Sequence, residues 1–282
     1  MDNANLDRNL IVALLEWQLD CGVDEAIEPH AVDMATPPSK VATSMGIAGS
    51  TPNMETPTAK TQAPLHPLPA AASSNISAKQ AGSLAELRQL MQNDEQCLLK
   101  KTASRLVFGD GNPESAIMVV GEAPGADEDR QGIPFVGAAG QLLDKMLLSI
   151  GLNRQNCYIT NVLVWRPPGN RKPTPLEIMQ MIPYLEQHIE LVKPQMLLAL
   201  GDSAAKALTG VQEGITRVRG KWLNAGEPKE SMGDHFSCRF VQPIPCLLTY
   251  HPAFLLRSPL NKKQAWQDLL LVKNFMKERG IS

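Results

Sequence analysis

The chain has 282 residues, and its 27 Lys and Arg residues against 29 Asp and Glu residues give a net charge of −2. Taken alone, this balance argues against a strongly basic nucleic-acid-binding protein. The charge is unevenly distributed, because residues 1–80 carry four basic and nine acidic residues, a net of −5, whereas the remainder carries a net of +3. The near-neutral total therefore combines an acidic segment at residues 1–80 with a mildly basic remainder.

The sequence shows neither of the features expected of a membrane-spanning or a secreted protein. No run of about 18 apolar residues occurs, so no membrane-spanning helix is expected. The first residues place acids before their apolar stretch and lack the basic start of a secretory signal. The five cysteines form no CxxC pair, which fits reduced thiols better than a disulfide framework. We therefore expect a cytoplasmic protein without membrane association.

Two segments precede the main globular region. Residues 1–30 predict a helical segment, because Leu10, Leu14 and Trp17 recur at helical spacing. Residues 31–80 contain seven prolines and no aromatic residue. Such a stretch buries too little apolar surface to offset its ordering entropy and predicts a disordered linker. The first helix either docks on the main domain or binds a protein partner, and the residues leave both readings open.

Residues 81–282 predict one globular domain in which short apolar runs alternate with helical patterns. In chain order we expect a helix at 84–99, a turn at 109–113, a strand at 116–121, a helix at 140–150, a strand at 158–164, a helix at 175–192, a strand at 196–201, a helix at 202–208, a strand at 246–250 and a helix at 262–277. This alternation indicates a mostly four-stranded parallel sheet covered on both faces. Ligands of such sheets bind at the carboxyl ends of the strands.

Polar and glycine-rich segments follow each predicted strand. They read GEAPGADED after the first strand, N and RPPGNR after the second, GDS after the third and HPAFLLR after the fourth. The first is not a GxGxxG dinucleotide motif, and Pro124 would remove an N–H from the phosphate. Neither a GxxxxGK[ST] loop, nor histidines at metal-ligand spacing, nor a GxSxG elbow occurs.

Three blocks resemble the type-4 enzymes of the uracil-DNA glycosylase superfamily. They are GEAPGADEDRQGIPFVGAAGQLLDKML, YITNVLVWRPPGNRKPTPLEI and HPAFLLRSP. The resemblance implies a three-layer α/β/α sandwich that flips uracil out of DNA and hydrolyses its N-glycosidic bond, as in base excision repair. It also implies a monomer acting on uracil-containing DNA. The alternative is a catalytically impaired DNA-binding scaffold that recruits partners through its N-terminal helix.

The resemblance assigns the uracil pocket to Gly121, Ala123, Phe135 and Asn161. Phe135 is similar to the aromatic wall that stacks on the base. Asn161 is similar to the amide that reads uracil, since its NH₂ and C=O match the O4 acceptor and N3–H donor, which cytosine reverses. From the residues alone, Phe135 also fits a core position and Asn161 also fits a turn cap.

Three residues are expected to carry the chemistry. His251 resembles the histidine that donates a hydrogen bond to the charge developing on the departing uracil. Ala123 stands where the best-known branch of the superfamily has an aspartate, so no carboxylate base is expected there. Glu122 and Glu128 are the candidates for positioning the attacking water. A structural turn for His251 and a solvated acidic loop for the two glutamates are the alternatives.

Five residues are expected to contact DNA. Leu255, with Leu256, resembles an apolar wedge that enters the duplex beside the flipped base, and Arg257 would bind a phosphate. Arg217 and Arg219 fit scattered surface arginines better. The expected DNA-binding residues are Arg166, Asn170, Arg171, Leu255 and Arg257.

The chain departs from the type-4 pattern at the ligands of the iron–sulfur cluster. A [4Fe–4S] cluster needs about four thiolates in one place. Only Cys97 matches a ligand position, whereas Asp94, Trp165 and Met181 occupy the other three. We therefore expect no cluster and no other cofactor, with the tryptophan and the methionine filling the vacated space.

Overall fold

Within the described residues, the strands form one six-stranded sheet in the order β1-β3-β2-β4-β6-β5. A computed structural model describes residues 78–227 and 237–281. The strands are β1 (Asp110–Gly111), β2 (Ile117–Gly121), β3 (Tyr158–Asn161), β4 (Met196–Leu200), β5 (Trp222–Ala225) and β6 (Ile244–Thr249). The four inner strands run parallel, and β1 and β5 pair antiparallel at the two edges. The four-stranded parallel core is confirmed, and the sheet is larger by two edge strands.

The eight helices of the described ranges cover this sheet. They are α1 (Leu84–Asn93), α2 (Ala126–Gln131), α3 (Ala138–Leu148), α4 (Pro175–Val192), α5 (Gly201–Thr209), α6 (Ile215–Val218), α7 (Pro252–Arg257) and α8 (Lys262–Arg279). No helix within 78–227 and 237–281 is long and apolar enough to cross a membrane.

The two faces of the sheet build two separate cores. Met118 and Val120 of β2 face a core that includes side chains of α1, α4 and α5. Ile117 and Val119 of the same strand face a core that includes side chains of α3, α7 and α8. Because successive strand residues point to opposite faces, a strand buried on both sides is apolar throughout. The expected three-layer α/β/α arrangement is confirmed.

The first predicted helix, at 84–99, is interrupted. α1 ends at Asn93, and a short 3₁₀ turn at Leu98–Lys101 follows separately. The Asp94 carboxylate accepts a hydrogen bond of 2.9 Å from the Gln96 main-chain N–H, and Asp94 itself has extended backbone angles. Such local capture of an N–H by an Asp side chain competes with the helix, which periodicity alone does not register.

Several other bounds also differ from expectation. The strand predicted at 158–164 ends at Asn161, because the chain then leaves the ladder and the next two N–H groups bind the carbonyls of Gly121 and Glu122. The edge strand β1 has only two residues, and β5 is partly exposed, so neither produces a continuous apolar run. The short helices α2, α6 and α7 contain too few turns for a periodic pattern.

The N-terminal expectations lie largely outside the described residues. This holds for the helical segment at 1–30 and for residues 31–77 of the linker. The described chain starts at Ala78, which is buried in the core, three residues before the expected domain boundary. Gln187 of α4 donates a 2.8 Å hydrogen bond to the Ala81 carbonyl and holds this first segment against the domain.

The strand order places a crevice at the carboxyl end of β2. β3 lies on one side of β2 and β4 on the other, so the chain connections leave in opposite directions there. In open α/β sheets, such a switch point is where ligands bind. The segments after β2, β3, β4 and β6 meet at this edge.

Candidate active site

A cleft of about 470 Å³ opens at this edge of the sheet. Nine of the twelve residues expected at the site line it: Glu122, Ala123, Glu128, Phe135, Asn161, Asn170, Arg171, His251 and Arg257. Gly121 lies directly beneath the cleft, in contact with Asn161 and Phe135. Arg166 and Leu255 are not part of its lining.

Gly121, the last residue of β2, packs without any spare room. It is paired with Asn161 across the β2–β3 ladder. A Cβ atom on Gly121 would overlap both Oδ1 of Asn161 and the ring of Phe135. A glycine is therefore required for the amide and the aromatic ring to meet above the strand end.

The Asn161 side chain is buried with an unpaired acceptor. The residue is 2 % exposed, and its Oδ1 atom has no hydrogen-bond partner among the described residues. A buried amide oxygen without a partner costs about 1–3 kcal/mol. The site therefore contains an amide oxygen that can accept a hydrogen bond from a bound ligand.

Phe135 is held in a conformation that non-glycine residues rarely adopt. Its φ is 55°, and its ring centroid lies 5.7 Å from that of His251. Its carbonyl accepts a 2.6 Å hydrogen bond from Nη2 of Arg154 and packs on Gly140, where a Cβ would overlap it. Left-handed backbone of this kind persists only where the surroundings enforce it. Sequence reasoning missed Arg154, which has no motif around it.

Glu128 acts as a clamp between two loops. Its carboxylate accepts main-chain N–H groups from Gly125 at 3.0 Å and from Val136 and Gly137 at 2.9 Å each. These bonds join the turn after β2 to the segment that carries Phe135. Carboxylates that accept several N–H groups are strongly held, so most of the acceptor capacity of Glu128 is committed to the main chain.

Glu122 is bound differently. Its Oε2 accepts a hydrogen bond of 2.6 Å from Oγ of Ser203, in the first turn of α5. No other side-chain hydrogen bond of Glu122 occurs within the described part of the chain, and the residue is half-buried at the cleft. Its other oxygen is therefore available to a molecule in the cleft. Ser203 belongs to the GDS segment that follows the third predicted strand, and no catalytic motif surrounds it.

His251 caps α7 through its ring. Its Nδ1 accepts a hydrogen bond from the Ala253 N–H at 3.2 Å, so in the neutral ring Nε2 carries the proton. Burial, followed by the nearby positive charge of Arg257, lowers the pKa of His251 to about 4, although Glu128 opposes this shift. The ring is thus a neutral hydrogen-bond donor at physiological pH.

A buried ion pair supports the segment that carries His251. Asp268 of α8 is 1 % exposed and pairs with the Arg219 guanidinium. It also accepts a 2.7 Å hydrogen bond from Oγ1 of Thr249, the last residue of β6. Arg219 lies over the ring of Tyr250 at 5.6 Å from its centroid. Arg219 is therefore a structural residue rather than a scattered surface arginine.

The geometry agrees with comparisons to known proteins. The model of the uracil DNA glycosylase superfamily matches residues 108–270, which is more than half of the chain. The chain belongs to the uracil-DNA glycosylase superfamily. It is 40% identical over 192 residues to the type-4 uracil-DNA glycosylase of Pyrobaculum aerophilum, covering 67% of this chain and 92% of that protein.

Two further relatives are similar in extent. The type-4 uracil-DNA glycosylase of Archaeoglobus fulgidus is 38% identical over 190 residues, which cover 66% of this chain and 89% of that protein. The one of Thermotoga maritima is 37% identical over 187 residues, which cover 65% and 90%. The resemblance of this chain to the type-4 branch of the superfamily is confirmed.

The residues expected to contact DNA in a uracil-DNA glycosylase differ in how exposed they are. Leu255 is fully buried, so it is not available as a wedge. Its neighbour Leu256 is 45% exposed and follows it on α7. The expectation for Leu255 is corrected in this respect, because the helical turn of α7 directs one leucine into the core and the next outward.

Of the polar residues expected at DNA, Arg257 alone has no partner within the described residues. Arg171 lines the cleft but is held by Glu177 through hydrogen bonds of 2.8 and 2.5 Å. Arg166 donates a 2.7 Å hydrogen bond to Oδ1 of Asn170 and is not among the residues that line the cleft.

The residues at the cluster-ligand positions do not fit the iron–sulfur cluster of type-4 enzymes. Cys97 offers the one thiol, and burial raises its pKa. Asp94 accepts a 3.0 Å hydrogen bond from the hydroxyl of Tyr184. Trp165 and Met181 are buried in the same apolar core. Within the described residues, no group of three or more His, Cys, Asp or Glu side chains could hold a metal ion.

The state of His251 gives a direct test. We predict that its imidazole is neutral and protonated on Nε2 at pH 7, and that it titrates near pH 4, because burial disfavours the charged form. Nitrogen-15 NMR of the histidine-labelled full chain measures both the tautomer and the titration, with a His251→Asn sample to assign the signal. A midpoint near the ordinary value of about 6.5 would contradict this description.

Proposed function

We propose that this chain is a DNA repair glycosylase, which flips uracil out of DNA and hydrolyses its N-glycosidic bond to leave an abasic site. The observation that carries the proposal is the buried Asn161 amide, whose Oδ1 has no hydrogen-bond partner in the part of the chain that the structure describes. A base placed in the cleft supplies the missing partner. The non-catalytic alternative has no observation in its favour.

The pocket suits the recognition of uracil. The Asn161 amide presents a carbonyl and an NH₂ group, which match the N3–H donor and O4 acceptor of uracil. Cytosine offers the opposite pattern, so it would leave both amide groups unsatisfied, and such a mismatch rejects a ligand strongly. Phe135 provides the flat wall beside it, held by Arg154.

Cleavage transfers the electron pair of the N1–C1′ bond to uracil. His251 would donate a hydrogen bond from Nε2 to the base oxygen on which this charge develops. A fixed donor of this kind is worth about 3–4 kcal/mol in the transition state. A neutral imidazole suffices, since a donor that is already oriented needs no reorganisation during the reaction.

The attacking water needs an acceptor near C1′ of the sugar. Glu122 has one carboxylate oxygen bound to Ser203 and the other open to the cleft, whereas Glu128 is occupied by three main-chain N–H groups. We therefore propose that Glu122 positions the attacking water and that Glu128 holds the two loops in place. Ser203 is the positioning residue that orients Glu122.

The first experiment measures uracil release from a duplex with one U, with alkali cleavage of the abasic product. We expect release from U and none from C. The variants Asn161→Ala and Gly121→Ala should each lose about 10²–10³-fold in rate, because one removes the amide and the other displaces it.

Matched controls separate this loss from general damage. Gly214→Ala places a Cβ where nothing lies within 4 Å, and Asn224→Ala removes an exposed amide on β5. Both should retain wild-type release. No release by wild type at stoichiometric enzyme would reject the proposed function, and full activity of Asn161→Ala would reject the pocket assignment.

The second experiment tests Ser203. Ser203→Ala should lower kcat about tenfold with little change in KM, because a hydrogen bond to a charged group is worth about 1.5–3 kcal/mol. Ser203→Thr, which keeps the hydroxyl, should restore most of kcat. Combined with Glu122→Gln, Ser203→Ala should add almost nothing further.

Thr209→Val is the matched control for Ser203, since it removes a hydroxyl that binds only the Ala205 carbonyl within α5. Additive losses in the Ser203 and Glu122 double variant would show that the serine does not act through Glu122.

We also propose that this chain works without the [4Fe–4S] cluster of type-4 enzymes, since carboxylate, indole and thioether groups replace three thiolates. Iron analysis of protein purified without oxygen should find less than about one iron per chain. A type-4 relative with four cysteines, purified in parallel, is the control. About four irons per chain with broad visible absorption would overturn this proposal.

The remaining features of the proposal concern the cellular setting. We propose a cytoplasmic monomer, in which residues 81–282 form the catalytic domain and residues 31–80 form a disordered linker to a helical segment at 1–30. That segment would either dock on the domain or bind a protein partner. The free, buried thiols of Cys97, Cys157, Cys238 and Cys246 support a reducing compartment.

A further inference from the structure

A second recess, of about 500 Å³, lies beside the cleft. Its polar lining consists of Arg88 and Gln92 of α1, Ser104, Arg105 and Gln131, with no acidic residue. Of the apolar side chains around it, Ile133 is 39% exposed. None of these residues belongs to the uracil pocket described above.

The recess opens at the same edge of the sheet as the cleft. The Val107 N–H donates a 2.9 Å hydrogen bond to the Val164 carbonyl, so the segment before β1 runs beside the segment that follows β3. α2 lies between the two openings, because its N-cap residue Gly125 and its third residue Glu128 line the cleft and its last residue Gln131 lines the recess. A helix of six residues spans about 9 Å.

The recess is positively charged and fixed in place. Neither the Arg88 nor the Arg105 guanidinium makes an ion pair or hydrogen bond with the residues that the structure describes. By contrast, Arg130 and Arg154 are paired with carboxylates. Asp129, which is 3 % exposed, anchors the segment by accepting the Ser104 and Arg105 N–H groups at 2.8 and 3.2 Å.

We propose that this arginine recess binds backbone phosphates of the uracil-containing DNA strand outside the flipped nucleotide. Two unpaired guanidinium groups among neutral hydrogen-bond donors match the chemistry of phosphodiesters. The length of α2, about 9 Å, corresponds to the axial rise of about three nucleotides of one strand. The proposal rests on the proposed function, since it needs DNA in the cleft.

The site would determine how the strand lies across the protein. Phosphate contacts set register and orientation without reading sequence. A net charge of +3 in the globular part predicts few such contacts, so two arginines beside the cleft would supply a large share of the salt-dependent affinity. The uracil pocket would still decide which base is cleaved.

The test compares the full chain with the Arg88→Gln, Arg105→Gln double variant. We expect the slope of log kcat/KM against log salt concentration to become shallower by about two, one for each lost phosphate contact. With a trinucleotide that carries uracil at its centre, the single nucleotide on each side rises only about 3.4 Å and does not reach the recess, so the two proteins should release uracil equally. With longer strands, the variant should have the higher KM.

A control of equal charge loss lies far from the cleft. Lys277→Gln with Arg279→Gln removes two positive charges at the end of α8, which packs near the amino end of β6. Its salt slope should remain that of wild type. Equal unfolding midpoints for all three proteins would exclude a folding defect, which we expect because neither guanidinium of the recess makes an ion pair or a hydrogen bond within the described residues.

The outcomes separate the two proposals. If wild type releases no uracil from any substrate, the proposed function fails. If wild type is active and the recess variant has the same salt slope and length dependence, the phosphate site is rejected while the function stands. Equal changes in the recess and control variants would show general charge attraction only, and would also reject the site.

Discussion

The cleft depends on a missing side chain at the end of the central strand. β2 lies between β3 and β4, and its last residue, Gly121, allows Asn161 and Phe135 to close over the strand end. Because both neighbours occupy the space of a Cβ, any other residue would separate the amide from the aromatic ring. The buried amide keeps an unpaired oxygen, and this stored cost is tolerable only where a ligand offsets it.

The loops around the cleft are held by charged groups that take no part in the proposed chemistry. Arg154 fixes the strained Phe135, Glu128 joins two loops through their N–H groups, and Asp268 anchors the end of β6. Such supporting contacts hold reacting groups in place within fractions of an ångström. Glu122 and Glu128 lie in the same acidic segment but have different hydrogen-bond partners, which supports different roles for the two residues.

Much of the architecture was predictable from local pattern. Buried parallel strands are apolar on both faces, so β2 and β4 stand out as short apolar runs. The expected bounds of α4 agree with the structure, in which Thr174 and Glu177 form a capping box at the start of the helix. The edge strands were missed, since β1 and β5 bury too little to leave an apolar run. α1 was predicted too long because the Asp94 side chain competes with the helix.

The sequence by itself determined the parallel sheet, the sheet edge that carries the functional residues, and the family. Apolar runs and motifs consist of residues that are consecutive in the chain, so they can be recognised without the structure. Only the tertiary structure decided which leucine of α7 is exposed, which glutamate keeps an oxygen open to the cleft, and that Arg219 pairs with the buried Asp268. Each of these depends on partners far apart in the chain, since hydrogen bonds and burial are properties of neighbours in space.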